Sequence, residues 1–97
     1  MLIVAGKGYL DPEHREAFLA EVEASLRRTR AEPGCLDYAI SADPVEPGRI
    51  NVYERWESQE HLVAHLATVA QAPQPSPAVR DVEVMRYEIS ASGPLRL

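Results

Sequence analysis

A single cysteine, Cys35, rules out an internal disulfide and a paired-thiol redox centre, and one free thiol in 97 residues fits a reducing, cytoplasmic setting. Basic residues are scarce: 10 Lys and Arg against 15 Asp and Glu leave a net charge of −5. The densest basic group, Arg27, Arg28 and Arg30, is flanked by acidic residues and reads as a solvated helix face with weak local ion pairs. No basic stripe suited to nucleic acid forms. No apolar run reaches the roughly 18 residues of a membrane span. The opening Met-Leu-Ile-Val-Ala-Gly has neither the charged start nor the long apolar core of a secretion signal. Gly6-Lys7-Gly8 is too short for a phosphate-cradling loop. His61 and His65 stand four apart, but no Asp, Glu or Cys completes a ligand set at recognisable spacing, so no metal is expected.

What remains is a chain of one domain's length, 1–97, with clear punctuation. Residues 2–9 read as a strand. Asp11-Pro12-Glu13 starts a helix: Asp can cap, Pro suits the first helical position and Glu favours the positive end of the dipole. Phe18, Leu19, Val22 and Leu26 give that helix its apolar stripe over about residues 12–31, and Pro33-Gly34 ends it. Residues 35–42 alternate, with Leu36, Tyr38 and Ile40 on one face and Cys35, Asp37 and Ala39 on the other. Turn chemistry fills 43–48. The next strand, 49–56, puts Ile50, Val52, Glu54 and Trp56 on one face and Asn51, Tyr53 and Arg55 on the other. Ser58 can cap a second helix, whose stripe is Leu62, Leu66 and Val69. Three prolines interrupt 71–78, and a last strand over 81–90 changes apolar phase between Val84 and Met85, as a bulge or burial on both faces would require. The tail from Ala91 is a loose end that can dock on a partner.

The order βαββαβ predicts an α+β, ferredoxin-like fold: an antiparallel sheet with two helices on one face. The other face carries Cys35, Asp37, Ala39, Asn51, Tyr53 and Arg55, too mixed for a core and too apolar in places for solvent. A homodimer through this outer face is the economical expectation.

Three segments carry a family likeness: Glu32-Pro33-Gly34-Cys35-Leu36, the hairpin Asp43-Pro44 with Pro47-Gly48-Arg49, and Tyr53-Glu54-Arg55-Trp56-Glu57-Ser58 running on through His61, Leu62, Ala64-His65-Leu66 and Thr68. They resemble the antibiotic biosynthesis monooxygenase family of dimeric α+β barrels, and among these the quinol monooxygenases most closely. The resemblance implies a cofactor-free monooxygenase acting on a small electron-rich aromatic, quinol- or anthrone-like, with O2, so no cofactor is expected. This chain has Val69-Ala70 where much of the family has Pro-His. Val52 and Leu62 stand where the polyketide monooxygenases carry an Asn and a Tyr. Ala5 and Gly6 stand where the haem degraders use an Asn.

His65 and Glu54 are the expected catalytic groups, and Trp56, Tyr38, Val52, Leu62, Leu66, Phe18 and Val22 the expected substrate-binding ones. An imidazole titrates close to neutral pH and suits the removal of a phenolic proton. A carboxylate at Glu54, if inside, must be paired or protonated. Trp56 offers a flat wall against which an aromatic ring can stack. Each has a plainer alternative: Trp56 and Tyr38 as core, His65 as a boundary residue bonded to backbone, Glu54 as a structural carboxylate. Two other functions stay open, a non-catalytic small-molecule-binding dimer and an isomerase. The isomerase would need cationic contacts, for which Arg49 and Arg86 are candidates.

Overall fold

The computed structural model describes residues 1–74 and 79–96. Its elements are β1 (Leu2–Tyr9), α1 (Pro12–Arg30), β2 (Cys35–Ala42), β3 (Arg49–Trp56), α2 (Gln59–Gln71) and β4 (Arg80–Glu88). The strands form one antiparallel sheet in the order β2-β3-β1-β4. This is the expected ferredoxin-like βαββαβ arrangement.

Local chemistry sets the ends of the helices. Pro12 opens α1, but Asp11 makes no side-chain cap hydrogen bond. Its carboxylate lies instead 3.8 Å from His14 and 3.6 Å from Arg80. The Ser58 Oγ does cap α2, accepting from the His61 N–H and lying 2.7 Å from the same residue's Nδ1. Gly34 turns the chain from α1 into β2 at φ +77°, and a Cβ there would strike the His61 ring. The proline-rich stretch leaves the helix after Gln71: Ala72 is extended, with ψ 149°. Residues 75–78 of that stretch lie outside the described residues.

Two irregularities redirect side chains. Cys35 pairs with Trp56 and Asp37 with Arg55, so Leu36 is an extra residue in β2. Beyond this bulge Tyr38 and Ile40 face the helices as expected. Before it the phase flips: Cys35 packs on the core and Leu36 is exposed, the reverse of simple alternation. In β4 the register shifts opposite Gly8, beside Asp81 at φ 51°, well before the apparent phase change at Val84–Met85. That change marks two apolar faces, with Val84 packed on the core and Met85 and Tyr87 on the opposite side beside Ala5 and Ile3.

The helix-facing side holds two apolar clusters. Leu2, Val4, Trp56 and Leu62 pack under α2, and Leu10, Phe18, Val22 and Ile50 pack under α1. Between them the helices leave a gap.

The β2–β3 hairpin is held by polar contacts. Asp43 accepts from the Val45 and Glu46 N–H groups at 3.0 and 2.8 Å and from Asn51 at 2.9 Å. Arg15 donates to the carbonyls of Asp43, Glu46 and Arg49 from α1. The Asn51 hydrogen bond, with those of the two backbone N–H groups, lowers the Asp43 carboxyl from 3.8 to about 2. Because the folded value is depressed, the stability this carboxylate contributes is complete above its unfolded value and lost as pH falls toward about 2. Amide exchange of Val45 and Glu46 should therefore accelerate over that window. In D43A both amides should exchange fast at every pH. Protection that stays constant down to pH 2 would contradict this role.

Candidate active site

The gap between the two clusters is a cleft of about 710 Å³, within the range of small-molecule sites. Phe18 and Val22 from α1, Ile40 from β2, and Val79 and Val82 from the last strand and its approach form its apolar part. At the other end the lining turns polar, with Thr29, Glu32, Tyr38 and His65. Pro73 and Gln74 border it too, which places the start of the proline-rich stretch beside the cavity.

His65 organises the polar end. It is buried, and its Nδ1 lies 2.8 Å from Glu32 Oε2. An ionised carboxylate only accepts, so the proton of a neutral ring sits on Nδ1 and the lone pair on Nε2. Among the described residues the ring makes no other hydrogen bond. Its faces are packed: the Trp56 ring lies 4.8 Å away and the Tyr38 ring 5.3 Å away, edge-on. The carboxylate and the two aromatic rings thus fix one orientation of the imidazole.

Behind His65, Trp56 donates from Nε1 to Glu54 Oε1 at 2.9 Å. Both are buried, and Trp56 is 0% exposed. Burial raises the Glu54 carboxyl above its ordinary value, opposed by the Trp56 hydrogen bond and by the nearby His65, and the Glu32 charge raises it further. Tyr38 is pushed up to about 12, first by burial and then by the charges of Glu54 and Glu32. Its phenol therefore stays protonated at working pH and can donate a hydrogen bond but not act as a base.

The expected site residues divide by position. His65, Tyr38, Phe18 and Val22 line the cleft. Trp56 and Glu54 do not; they form a layer behind His65, so Trp56 packs against the imidazole and presents no wall to the cleft. Leu62 is in the core under α2, and Val52 is half-buried in β3 between Gly6 and Ile40, away from the lining. Leu66 departs most from expectation. It is 54% exposed, because the inward face of α2 runs through Leu62, His65 and Val69, and Leu66 lies about 100° further round the helix than His65.

Sequence reasoning missed Glu32, Thr29, Ser25, Arg28 and Thr68, all of which line the cleft. One signal was present. Phe18, Val22, Ser25 and Thr29 recur at steps of four, three and four, a single helical stripe that passes from apolar to hydroxyl side chains. Reading the stripe through Leu19 and Leu26 concealed it. Glu32 looked like part of a turn, and nothing local links it to His65. Arg49 and Arg86 do not line the cleft; the lining cation is Arg28. Away from the cleft, Asp11, Glu13 and His14 bring ligand atoms within 4.8 Å of one another, but this group is mostly exposed and engaged in ion pairs. No helix among the described residues is long and apolar enough to cross a membrane.

Residues 1–73 match the family model for antibiotic biosynthesis monooxygenase. A Deinococcus radiodurans protein assigned provisionally to that class superposes with a TM-score of 0.83 at 28% identity, covering 99% of both chains. The Mycobacterium tuberculosis protein Rv0793 superposes with a TM-score of 0.72 at 26% identity, over 94% of this chain and 96% of that one. An uncharacterized Synechocystis protein is 30% identical over 67 residues, a match spanning 69% of this chain and only 46% of the relative.

Proposed function

We propose a function from one premise: the chain belongs to the antibiotic biosynthesis monooxygenase family. That membership supports a monooxygenase or small-molecule-binding role in general. Our specific reading is a cofactor-independent oxygenation of a small electron-rich phenol in the cleft. The observation that carries it is the Glu32–His65 pair, a buried imidazole oriented by a carboxylate 2.8 Å away on the wall of an aromatic-sized cavity.

In this reading the substrate ring lies among Phe18, Val22 and Ile40. His65 Nε2 takes the phenolic proton, and the Glu32 carboxylate stabilises the imidazolium that forms. Tyr38, held protonated, supports the phenolate by hydrogen bonding. The phenolate passes one electron to O2, the two radicals recombine to form a carbon–peroxide bond, and the protonated His65 returns its proton to the terminal oxygen to give the hydroperoxide. Cleavage of the O–O bond with loss of the proton on that carbon leaves a carbonyl on the ring. One oxygen atom is retained and the other departs as water. The substrate supplies the electrons, so the chain's own residues bind, orient and move a proton. Glu54 and Trp56 hold the base in place and do not meet the reacting atoms.

The test is oxygen uptake with a panel of quinols and anthrones, beside the same incubations without oxygen. Oxygen consumption with one atom of the O2 retained in the product, as 18O2 labelling reads it, supports the reading. No uptake above background removes it and favours a binding protein of the same fold, whereas anaerobic conversion would favour an isomerase.

We also propose the homodimer. Its support is an outer sheet face on which Met85 and Tyr87 are 59% and 50% exposed beside Ile3, Ala5 and Tyr53. Cys35, expected on this face, is turned inward by the Leu36 bulge, and Asn51 is bonded within the hairpin. The patch centres on β1 and β4 rather than on β2. Sedimentation at micromolar concentration should give a dimer that M85E weakens, and a stable monomer would contradict this.

A further inference from the structure

The end of α1 carries three arginines with different fates. Arg27 pairs with Glu23 at 3.3 Å, one turn back on the solvent side. Arg30 donates to the Tyr38 carbonyl at 2.8 Å and ties α1 to β2. The Arg28 side chain makes no hydrogen bond or ion pair among the described residues, and Arg28 lines the cleft. The lining offers one other permanent charge among the described residues, Glu32, and that carboxylate is engaged by His65. A guanidinium whose donors are unspent among the described residues therefore stands at the edge of a largely apolar cavity in a protein of net charge −5.

We propose that Arg28 is a specificity residue, and that the cleft takes an aromatic carrying an acidic substituent, such as a carboxylate, which the guanidinium holds. This rests on the reading of the cleft as the substrate site and adds the class of substrate. The geometry suits it. Arg28 lies in the last turn of α1, and Glu32, which engages His65, follows just past the helix end, so both border the polar part of the cleft. An acid group on Arg28 leaves the opposite side of the ring toward Tyr38 and His65, where the phenolic hydroxyl must lie. The planar fork of Arg also matches a carboxylate with two parallel hydrogen bonds. Such a contact orients the ring as well as retaining it. In a negatively charged protein, an acidic ligand without this cation would be repelled.

The experiment compares a matched pair of ligands, 2,5-dihydroxybenzoate and 1,4-dihydroxybenzene, by calorimetry on the full chain. The parent protein should bind the carboxylate-bearing member about tenfold more tightly, the size of one charge-assisted contact at a half-open site. That preference should shrink in high salt. In R28Q the preference should vanish or reverse in favour of 1,4-dihydroxybenzene, and in R28K part of it should return. Arg28 is exposed, so R28Q should fold, and its thermal melt checks this. Equal binding of the pair by the parent, no binding of the carboxylate-bearing member, or a preference that survives R28Q would overturn the inference. Oxygen uptake is read separately. Arg28-dependent binding without oxygen consumption leaves the anion site standing and removes the monooxygenase reading. Oxygen consumption with no preference between the ligands does the reverse.

Discussion

H65A should lower kcat/KM for oxygen-dependent turnover of a quinol by about 10²- to 10⁴-fold, the contribution of a well-placed general base. The effect should fall mainly on kcat, since the ring contributes little surface to a bound ligand and much to proton removal. The alanine also leaves Glu32 without its partner and opens a void beside Trp56 and Tyr38, so its melting temperature has to be followed in parallel. E32Q separates the two effects. A glutamine still accepts from Nδ1 through its amide oxygen, so the ring keeps its orientation but loses the charge that stabilises imidazolium. An intermediate loss, on the order of tenfold, should follow, because the charge that stabilises the imidazolium formed during proton removal is gone. If H65A turned over as fast as the parent, the base would have to be sought elsewhere in the cleft.

W56A should be the most destabilising single replacement, by about 3–5 kcal/mol. Trp56 is wholly buried, anchors the cluster with Leu2, Val4 and Leu62, and supplies the hydrogen bond to a buried carboxylate. Removing it both opens a cavity and strands Glu54. W56F is the informative companion, because it keeps most of the ring and deletes only the Nε1–H donor. It should cost roughly 1–3 kcal/mol at neutral pH. The pH dependence has a definite sign. Glu54 is raised in the folded state, so its contribution is complete below its ordinary value of 4.5 and is lost as pH rises through the folded value. Without the Trp56 donor the carboxyl rises further, so the deficit of W56F should widen between pH 4 and 7 in denaturant titrations. A deficit independent of pH would mean that the indole hydrogen bond does not stabilise an ionised Glu54. Turnover by folded W56F close to that of the parent would place Trp56 as a support for His65, in keeping with its absence from the cleft wall.

Much of the architecture was legible because it is written at short range. Pro12 and Gly34 mark where α1 can start and where the chain must turn; Ser58 satisfies an orphan N–H of α2; alternation over 49–56 puts Ile50, Glu54 and Trp56 on one side. These depend on steric limits and hydrogen bonds within a few residues, so they survive being read from a string. The family likeness in residues 32–68 drew on the same local features. The site was less legible. Residue type and strand phase led to His65 and Tyr38, and helical spacing to Phe18 and Val22, all of which line the cleft. Leu66 was placed inward because apolar residues were assumed to face the core, yet α2 turns His65 inward and leaves Leu66 in solvent.

The sequence by itself determined the βαββαβ order, the helix and strand limits to within a residue or two, and the side of β3 that meets the helices, since each follows from local periodicity and backbone chemistry. Only the tertiary structure decided what those faces enclose. It set a bulge at Leu36 that exchanges Cys35 for Leu36, paired Glu32 with His65 across 33 positions, withdrew Trp56 behind the His65 ring and brought Arg28 to the cleft lining. A stripe or an alternation specifies which residues share a face. The distance between two faces, and which polar group meets which, depend on how helices and sheet settle against one another, and that is fixed by packing over the whole chain.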